Sequence, residues 1–232
     1  MRSIRILHVD DEPDIREIVD MSLGLNADFE VRGCASGAEA LVVAAEWAPF
    51  LIMLDVMMPG MDGPTTLSHL GRNPRTAEIP VLFMTARAQA REVEQFIALG
   101  AQGVISKPFE PMTLASLVRS HLNAIRLETM RNVFALRAKS DAAQLASCRL
   151  DLAKDAGPAT MDRIRTIAHS LAGAAGLYGF DQISNDAAAL EDAILAKLEP
   201  PRDVMLALDR LIATLESAYS SPRPENRQAL NA

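Results

Sequence analysis

The sequence predicts a doubly wound α/β domain with five parallel strands, followed by an all-α four-helix bundle. In residues 1–123, short apolar runs alternate with amphipathic helical patterns, which is typical of βα units in a parallel sheet. From residue 124 the strand pattern disappears, and an Ala- and Leu-rich sequence is broken at Gly157-Pro158, Gly179 and Pro200-Pro201. Four amphipathic helices joined by short loops indicate an antiparallel bundle.

The first part is expected to hold five strands and five helices. The strands are predicted at Ile4–Val9, Phe29–Cys34, Phe50–Leu54, Val81–Met84 and Val104–Ile105. Helical patterns lie near 13–25, 37–47, 62–72, 88–99 and 111–126. Ser36 and Glu39 fit a capping box at the second helix, and Pro13 fits the first turn of the first helix.

The second part is expected to form helices near 126–155, 159–177, 181–197 and 202–219. No Gly/Ser-rich linker separates the two parts. The fifth helix therefore either continues into the bundle or meets it at a tight joint. We expect domains at 1–123 and 124–220, and a disordered tail at 221–232.

Charge argues against binding to nucleic acid. The 232 residues carry a net charge of −7, and 49% of them are apolar, which is enough for a packed core. Residues 1–123 hold 10 basic and 16 acidic side chains, and the remainder holds 13 and 14. Neither part has the positive excess that a phosphate backbone requires, so a DNA-binding regulator is not expected.

Other features predict a cytoplasmic protein without a membrane span. Cys34 and Cys148 form no metal or redox motif and suit a reducing compartment. The first residues run too soon into Asp10-Asp11 for a signal peptide. Asp55 interrupts the most apolar stretch, residues 50–58.

Charged residues follow three of the predicted strands: Asp10-Asp11, Asp55 and Lys107. Ligands of parallel sheets gather at the carboxyl ends of the strands. Carboxylates there suit Mg²⁺, which would screen a phosphoryl group from an anionic nucleophile. Asp55 would be that nucleophile and form an aspartyl phosphate. Lys107 would neutralise phosphoryl oxygens, and Thr85, at the end of the fourth strand, would donate a hydroxyl to one of them.

Residues 3–123 resemble the receiver domain of two-component response regulators. The resemblance rests on Val9-Asp10-Asp11-Glu12-Pro13, Leu54–Gly63, Thr85-Ala86 and Ser106-Lys107-Pro108-Phe109. It implies a flavodoxin-like fold in which Asp11, Asp55 and the backbone carbonyl of Met57 bind Mg²⁺, while Asp10 acts through a metal-bound water. It also implies a protein that catalyses its own Asp phosphorylation and dephosphorylation, rather than a turnover enzyme.

Each block has a plainer interpretation when taken singly. An Asp-Asp pair usually caps a helix, and Asp62-Gly63 is predicted to form a turn. Lys107-Pro108 is predicted to lie in a loop and is a candidate for a cis peptide bond. The chain also departs from receivers at one position. Val104 stands three residues before the lysine, where receivers place the Tyr or Phe that changes rotamer after phosphorylation.

His169 is the second candidate phosphoryl acceptor. At about 100° per residue it lies roughly 160–180° from an apolar stripe on its helix. Gly173 and Gly176 lie beside it, although each costs about 1 kcal/mol of helix stability relative to Ala. Their missing side chains would let the acidic site of another protein approach the imidazole, which can accept a phosphoryl group near neutral pH. The stripe consists of Ile164, Ile167 and Leu171.

Residues 127–220 resemble a histidine-containing phosphotransfer (Hpt) domain through His169–Gly176 and Leu190-Glu191. Hpt domains usually carry Lys three residues after the histidine, whereas this chain has Ala172. Asp162 and Arg165 share the face of His169 and could orient or flank the ring, but they are first interpreted as solvated charges. The remaining histidines, His8, His69 and His121, have no comparable setting.

Two functions follow from these features. In the first, Asp55 accepts a phosphoryl group from a sensor histidine kinase or another phosphohistidine donor, and His169 exchanges it with a receiver or Hpt protein. In the alternative, phosphorylation of Asp55 gates docking of a bundle whose histidine is inert. Ala172 favours the alternative, and the glycines favour the relay. The oligomeric state stays open, because apolar residues of 126–155 could pair two chains or complete one bundle.

Overall fold

A computed structural model of the chain describes residues 3–86, 89–154, 157–196 and 202–220. The described residues divide into two compact units between Ile125 and Arg126. The exact domain boundaries given above stay a prediction, and the expected tail at 221–232 lies outside the described residues. No helix in the described part of the chain is long and apolar enough to cross a membrane.

The first unit contains the predicted parallel sheet, with strand order β2-β1-β3-β4-β5. The strands are β1 (Ile4–Val9), β2 (Phe29–Cys34), β3 (Leu51–Asp55), β4 (Val81–Thr85) and β5 (Gly103–Ser106). The helices are α1 (Pro13–Gly24), α2 (Gly37–Trp47), α3 (Gly63–Arg72), α4 (Ala90–Ala98) and the start of α5 (Pro111–Lys154). The predicted fold class is confirmed.

Side chains alternate between the two faces of the sheet, as the strand period of two requires. Leu7, Leu54 and Phe83 belong to the apolar layer on one face. Met53 and Met84 belong to the layer on the other. Because the sheet is covered on both faces, only its strand ends leave room for polar side chains.

The strand register brings the functional positions to one edge of the sheet. Val9 of β1 pairs with Leu54 of β3, so Asp10 and Asp55 follow at the same level. Thr85 of β4 pairs with Ser106 of β5, the residue before the predicted lysine. The carboxyl ends of four strands therefore meet where the sequence placed the site.

Local capping explains two helix starts. The hydroxyl of Ser36 accepts the amide of Glu39 at 3.2 Å, as a capping box requires, but the Glu39 carboxylate reaches the amide of Ala35 instead of that of Ser36. The predicted turn at Asp62-Gly63 is wrong. Asp62 caps α3, because its carboxylate accepts the amide of Thr65 at 2.8 Å.

Gly63 itself is required by a close approach of two backbone segments. A Cβ atom at this position would overlap the carbonyl oxygen of Asp55 and lie 3.0 Å from the Cα atom of Val56. A residue without a side chain therefore lets α3 begin directly against the end of β3.

The second unit is the predicted helical bundle. Its helices are the later part of α5, α6 (Pro158–Ala175), α7 (Asp181–Leu195) and α8 (Arg202–Ser220). Of the two possibilities at residue 124, the continuous helix is observed. The sixth helix ends before its predicted limit in a 3₁₀ turn (Gly176–Tyr178), after which Gly179 adopts a φ of 76°. That left-handed conformation stops the helix, as glycine commonly does.

Each helix contributes apolar side chains to the core of the bundle. Phe134 of α5 packs against Tyr178 and Phe180, with ring centroids 5.5 and 5.0 Å apart. The carboxylate of Asp186 on α7 is buried among the helices, where it accepts the Thr214 hydroxyl at 2.7 Å and the Gln182 amide at 2.9 Å. The fully buried aliphatic residues include Leu145, Ile164, Ala168, Leu171, Leu190, Leu208, Leu211 and Leu215.

Candidate functional site

The ammonium group of Lys107 lies between two buried carboxylates in the first unit. Its Nζ atom is 2.6 Å from Oδ2 of Asp10 and 2.6 Å from Oδ1 of Asp55. The side chain of Lys107 is 14% exposed, and those of Asp10 and Asp55 are almost fully buried. One cation therefore bridges the acid that follows β1 and the acid that ends β3.

The second oxygen of each carboxylate is held by the backbone. Asp10 Oδ1 accepts the amide of Glu12 at 3.0 Å, and Asp55 Oδ2 accepts the amide of Met57 at 2.8 Å. The guanidinium of Arg16 donates to the carbonyl oxygen of Asp10 at 2.7 Å. Both acids thus have a fixed orientation before any ligand binds.

Burial and charge act in opposite directions on these groups. Burial raises the pKa of the Asp55 carboxyl, although the hydrogen bond and charge of Lys107 act to lower it. Burial also acts to lower the pKa of Lys107, but the hydrogen bonds and charges of Asp10 and Asp55 outweigh it and raise this pKa. Lys107 consequently stays charged at neutral pH.

Thr85 and the Lys107-Pro108 segment occupy the predicted edge. Thr85 is the buried last residue of β4, and its carbonyl oxygen accepts the amide of Lys107 at 2.7 Å. The Lys107-Pro108 peptide bond is cis, as the sequence suggested. Thr85 thus lies next in space to the residue whose ammonium holds both acids.

The residues partly fit a hard cation. Among the described residues, no group of three or more His, Cys, Asp or Glu side chains is gathered as a metal cluster. The carboxylates of Asp10 and Asp55 do meet at one positive charge, the ammonium of Lys107. Carboxylate oxygens are also the ligands that Mg²⁺ prefers. Asp11 is half-buried beside them and does not join the ion pair. The predicted ligand set of Asp11, Asp55 and Met57 stays a prediction.

His8, for which the sequence pattern predicts no role, lies against this site. Its ring is buried, and Nε2 is 3.8 Å from Oδ2 of Asp10. Neither ring nitrogen has a hydrogen-bond partner within the described part of the chain. Burial lowers the pKa of His8 to about 4, against the opposing charge of Asp10. Its position two residues before Asp10 on a strand was the available signal, because such residues share a face.

His169 is 77% exposed on α6, opposite the core, in agreement with the helical periodicity. Its Nδ1 atom is 3.0 and 3.3 Å from the two carboxylate oxygens of Glu191 on α7. If Nδ1 carries the ring proton and donates it to Glu191, then Nε2 is the unprotonated nitrogen.

The glycines beside His169 differ in their surroundings. A Cβ atom on Gly173 would meet nothing within 4 Å, so packing does not require glycine there. A Cβ on Gly176 would lie 3.5 Å from the hydroxyl of Ser184, and Gly176 belongs to the 3₁₀ turn rather than to α6. Of the two glycines predicted to leave open space beside His169, only Gly173 does so.

Charged side chains lie one turn before His169 and against its neighbour Ser170. Arg165, one turn before His169, lies 3.4 Å from Asp162 in an exposed ion pair. The guanidinium of Arg137 hydrogen-bonds the hydroxyl of Ser170 and lies 3.3 Å from Asp141. Burial raises the pKa of Asp141, with Arg137 opposing the effect.

Comparison with protein families matches both units separately. Residues 6–119 match the response regulator receiver domain, and residues 126–218 match the Hpt domain. These matched ranges contain Asp55 and His169 respectively.

Two curated proteins of Synechocystis sp. are similar to about half of the chain. The DNA-binding dual master transcriptional regulator RpaA is 38% identical over 51% of this chain and 48% of its own length. Response regulator Rre1 is 38% identical over 51% of this chain and 52% of its own length. The chain thus spans about half the length of these relatives. The solved structure of chemotaxis protein CheY4 of Vibrio cholerae is 31% identical to this chain. The match covers 51% of this chain and 98% of the CheY4 chain, with a TM-score of 0.48.

Proposed function

Because this chain joins a response regulator receiver domain to an Hpt domain and is a two-component phosphorelay protein, we propose that phosphoryl groups pass through Asp55 and His169. The observation that carries the proposal is the setting of His169. An exposed imidazole whose Nδ1 atom faces Glu191 offers its other nitrogen to an incoming phosphoryl group. A merely solvated surface histidine would not need such a partner.

At Asp55, the proposed donor is a phosphohistidine of a sensor histidine kinase or of another phosphohistidine protein. A carboxylate oxygen of Asp55 attacks phosphorus and forms the P–O bond, while the P–N bond breaks and its electron pair returns to the donor imidazole. The amide of Met57 holds the nucleophile in place. Lys107, already 2.6 Å from the carboxylate, would neutralise the phosphoryl oxygens. Thr85 would donate its hydroxyl to one of them.

Mg²⁺ is the cation proposed for this site. Asp11, Asp55 and the backbone carbonyl of Met57 would hold it, and Asp10 would act through a bound water. When bound, it would neutralise and orient phosphoryl oxygens. Asp11→Ala should abolish labelling of Asp55 by acetyl phosphate without unfolding the domain, because the side chain is half-exposed. Mg²⁺-independent labelling of this variant would contradict the assignment.

At His169, the proposed reaction transfers phosphoryl from the aspartyl phosphate of a receiver. The Nε2 lone pair attacks phosphorus, the P–O bond to the aspartyl oxygen breaks, and the donor is released as a carboxylate. The ring retains its Nδ1 proton and becomes a cation. Glu191, 3.0 Å from Nδ1, would stabilise that positive charge.

The alternative function, a phosphorylation-gated docking regulator with an inert bundle, is favoured by Ala172. This position provides no cation beside the histidine, and the Ala172 carbonyl oxygen is occupied by the hydroxyl of Ser184 at 2.7 Å.

Two full-length variants separate the relay from this alternative. His169→Gln retains the receiver nucleophile, and Asp55→Asn retains the histidine. The His169→Gln chain is labelled by acetyl phosphate and then mixed with the Asp55→Asn chain, to which the label should move. The transferred label should resist base, because phosphohistidine survives base and an acyl phosphate does not. A double variant that lacks both residues is the control. Efficient labelling of Asp55 with no base-stable label in the wild type or in the mixture would favour the docking regulator.

A further inference from the structure

The charges around His169 leave a phosphoryl group poorly compensated. Glu191 lies 3.0 Å from Nδ1, so a carboxylate accompanies the imidazole, and Asp162 lies about two turns away on the same face of α6. A phosphoryl group on Nε2 would add about −2 more charge to this face. A nearby cation would therefore stabilise phosphohistidine and the transition state that forms it.

We propose that Arg165 is that cation, a phosphoryl-binding residue whose guanidinium leaves Asp162 and binds the phosphoryl oxygens on His169. The inference rests on the proposed phosphorylation of His169. It adds a residue that contacts the transferred group.

Helix geometry brings the two side chains together. Arg165 and His169 are four residues apart on α6, so their Cβ atoms are neighbours at about 5–6 Å. Side chains on a helix lean toward its N-terminus, so the ring of His169 covers the turn that contains Arg165. A long arginine side chain spans the remaining distance to a group on the ring.

The ion pair of Arg165 with Asp162 is weak enough to be broken when another anion binds. The Arg165 side chain is 46% exposed, and its ion pair with Asp162 has a separation of 3.4 Å between side chains that are both well solvated. Exposed pairs of this kind on one helix contribute little to stability. A guanidinium, by contrast, binds phosphoryl oxygens through two parallel hydrogen bonds.

Neighbouring arginines are less suited to this role. Arg137 is engaged by both Ser170 and Asp141. Arg163 points to another side of α6, where it lies 3.5 Å from Gln144 of α5. Arg163 is consequently a matched control, because it carries the same charge two residues away on an exposed part of the same helix.

The test compares Arg165→Gln, Arg165→Lys and Arg163→Gln in the full-length Asp55→Asn chain, and the Asp55→Asn/His169→Gln chain identifies any label on the exposed His69. Phosphoramidate, a small-molecule donor, loads the histidine, and ³¹P NMR follows the pH titration of the phosphoryl group. Removal of a bound guanidinium should move the titration midpoint to higher pH in Arg165→Gln. Arg165→Lys, which keeps the charge but loses the two parallel hydrogen bonds, should fall between the parent chain and Arg165→Gln, and Arg163→Gln should match the parent chain.

Transfer kinetics supply the second readout. With the labelled His169→Gln chain as donor, Arg165→Gln should accept phosphoryl at least about tenfold more slowly, as expected when charge-assisted hydrogen bonds are lost. Equal thermal midpoints would exclude a folding defect. If Arg165→Gln behaves like Arg163→Gln in both measurements, the inference is wrong while the proposed function stands. If no chain with an intact histidine takes label from either donor, the proposed function fails, and this inference with it.

Discussion

Glu191 reaches across from α7 to His169 on α6, with 3.0 Å between its carboxylate oxygen and Nδ1 of the imidazole. The contact fixes one ring nitrogen and leaves the ring exposed. A carboxylate partner favours the tautomer that carries the proton on Nδ1, so the electron pair of Nε2 is directed to solvent.

Glu191→Gln should therefore impair His169 more than Glu191→Ala does. A glutamine amide can donate to Nδ1, which would place the ring proton on Nε2 and block its attack. We expect a loss of roughly tenfold or more in the transfer rate for the glutamine variant, in line with other carboxylate-oriented histidines. Long-range ¹H–¹⁵N spectra report the tautomer directly. Identical tautomer populations in all three chains would show that Glu191 does not orient the ring.

Lys107→Ala should destabilise the receiver unit in the absence of divalent cations. The change leaves Asp10 and Asp55 buried with like charges and no cation between them. Breaking a buried ion pair in this way costs about 3 kcal/mol. Urea unfolding in EDTA measures the loss, and added Mg²⁺ should restore part of it, because the carboxylates are intact. A variant as stable as the wild type in EDTA would argue against the bridging role of the lysine.

His8 should make the receiver unit less stable in acid. Its folded pKa of about 4 lies below the value of 6.5 expected in the unfolded chain. The unfolded state therefore binds more protons, and the stability contributed above pH 6.5 is lost as the pH falls toward about 4. The matched variant is His8→Leu, which keeps an apolar volume without titrating. As the pH falls below about 6, the unfolding free energy of the wild type should decrease relative to that of His8→Leu. A difference that stays constant with pH would contradict the assignment.

Substitutions of Gly173 should distinguish the stability of the bundle from the access of a partner to His169. Because a Cβ atom there meets nothing within 4 Å, Gly173→Ala should raise the stability of the bundle by about 1 kcal/mol. Gly173→Gln should remain folded and yet slow transfer to His169, since its side chain occupies the approach to the imidazole. Thermal unfolding and transfer assays on the same samples provide both measurements. Unchanged transfer in the glutamine variant would show that receivers do not approach over Gly173.

The α/β part could be predicted closely because its signals are local. The bounds of β1 and β2 agree with the apolar runs that predicted them. The third strand begins one residue late, because Phe50 is an exposed residue that extends the apolar run without belonging to the buried strand. The order of strands brings Asp10, Asp55 and Lys107 together, as chain-order reasoning about parallel sheets expects.

Contacts between distant helices could not be predicted in the same way. The pairing of His169 with Glu191 depends on how α6 and α7 pack, which a spacing along the chain does not specify. The absence of Gly and Pro between Pro111 and Lys154 favours a continuous α5, but it does not by itself exclude a tight joint between two helices near residue 124. The strand period of two places His8 on the same face as Asp10, but the burial of its ring depends on the packing around β1, which that spacing does not specify.

The tight fit of Gly63 against the end of β3 has a consequence for mutational scanning. Any side chain at this position must displace the backbone that carries Asp55, so even Gly63→Ala should strongly impair phosphorylation although it leaves the nucleophile intact. A scan scored by signalling alone would rank the two positions together. Only a parallel scan for protein abundance would distinguish the position that performs chemistry from the one that merely makes room for it.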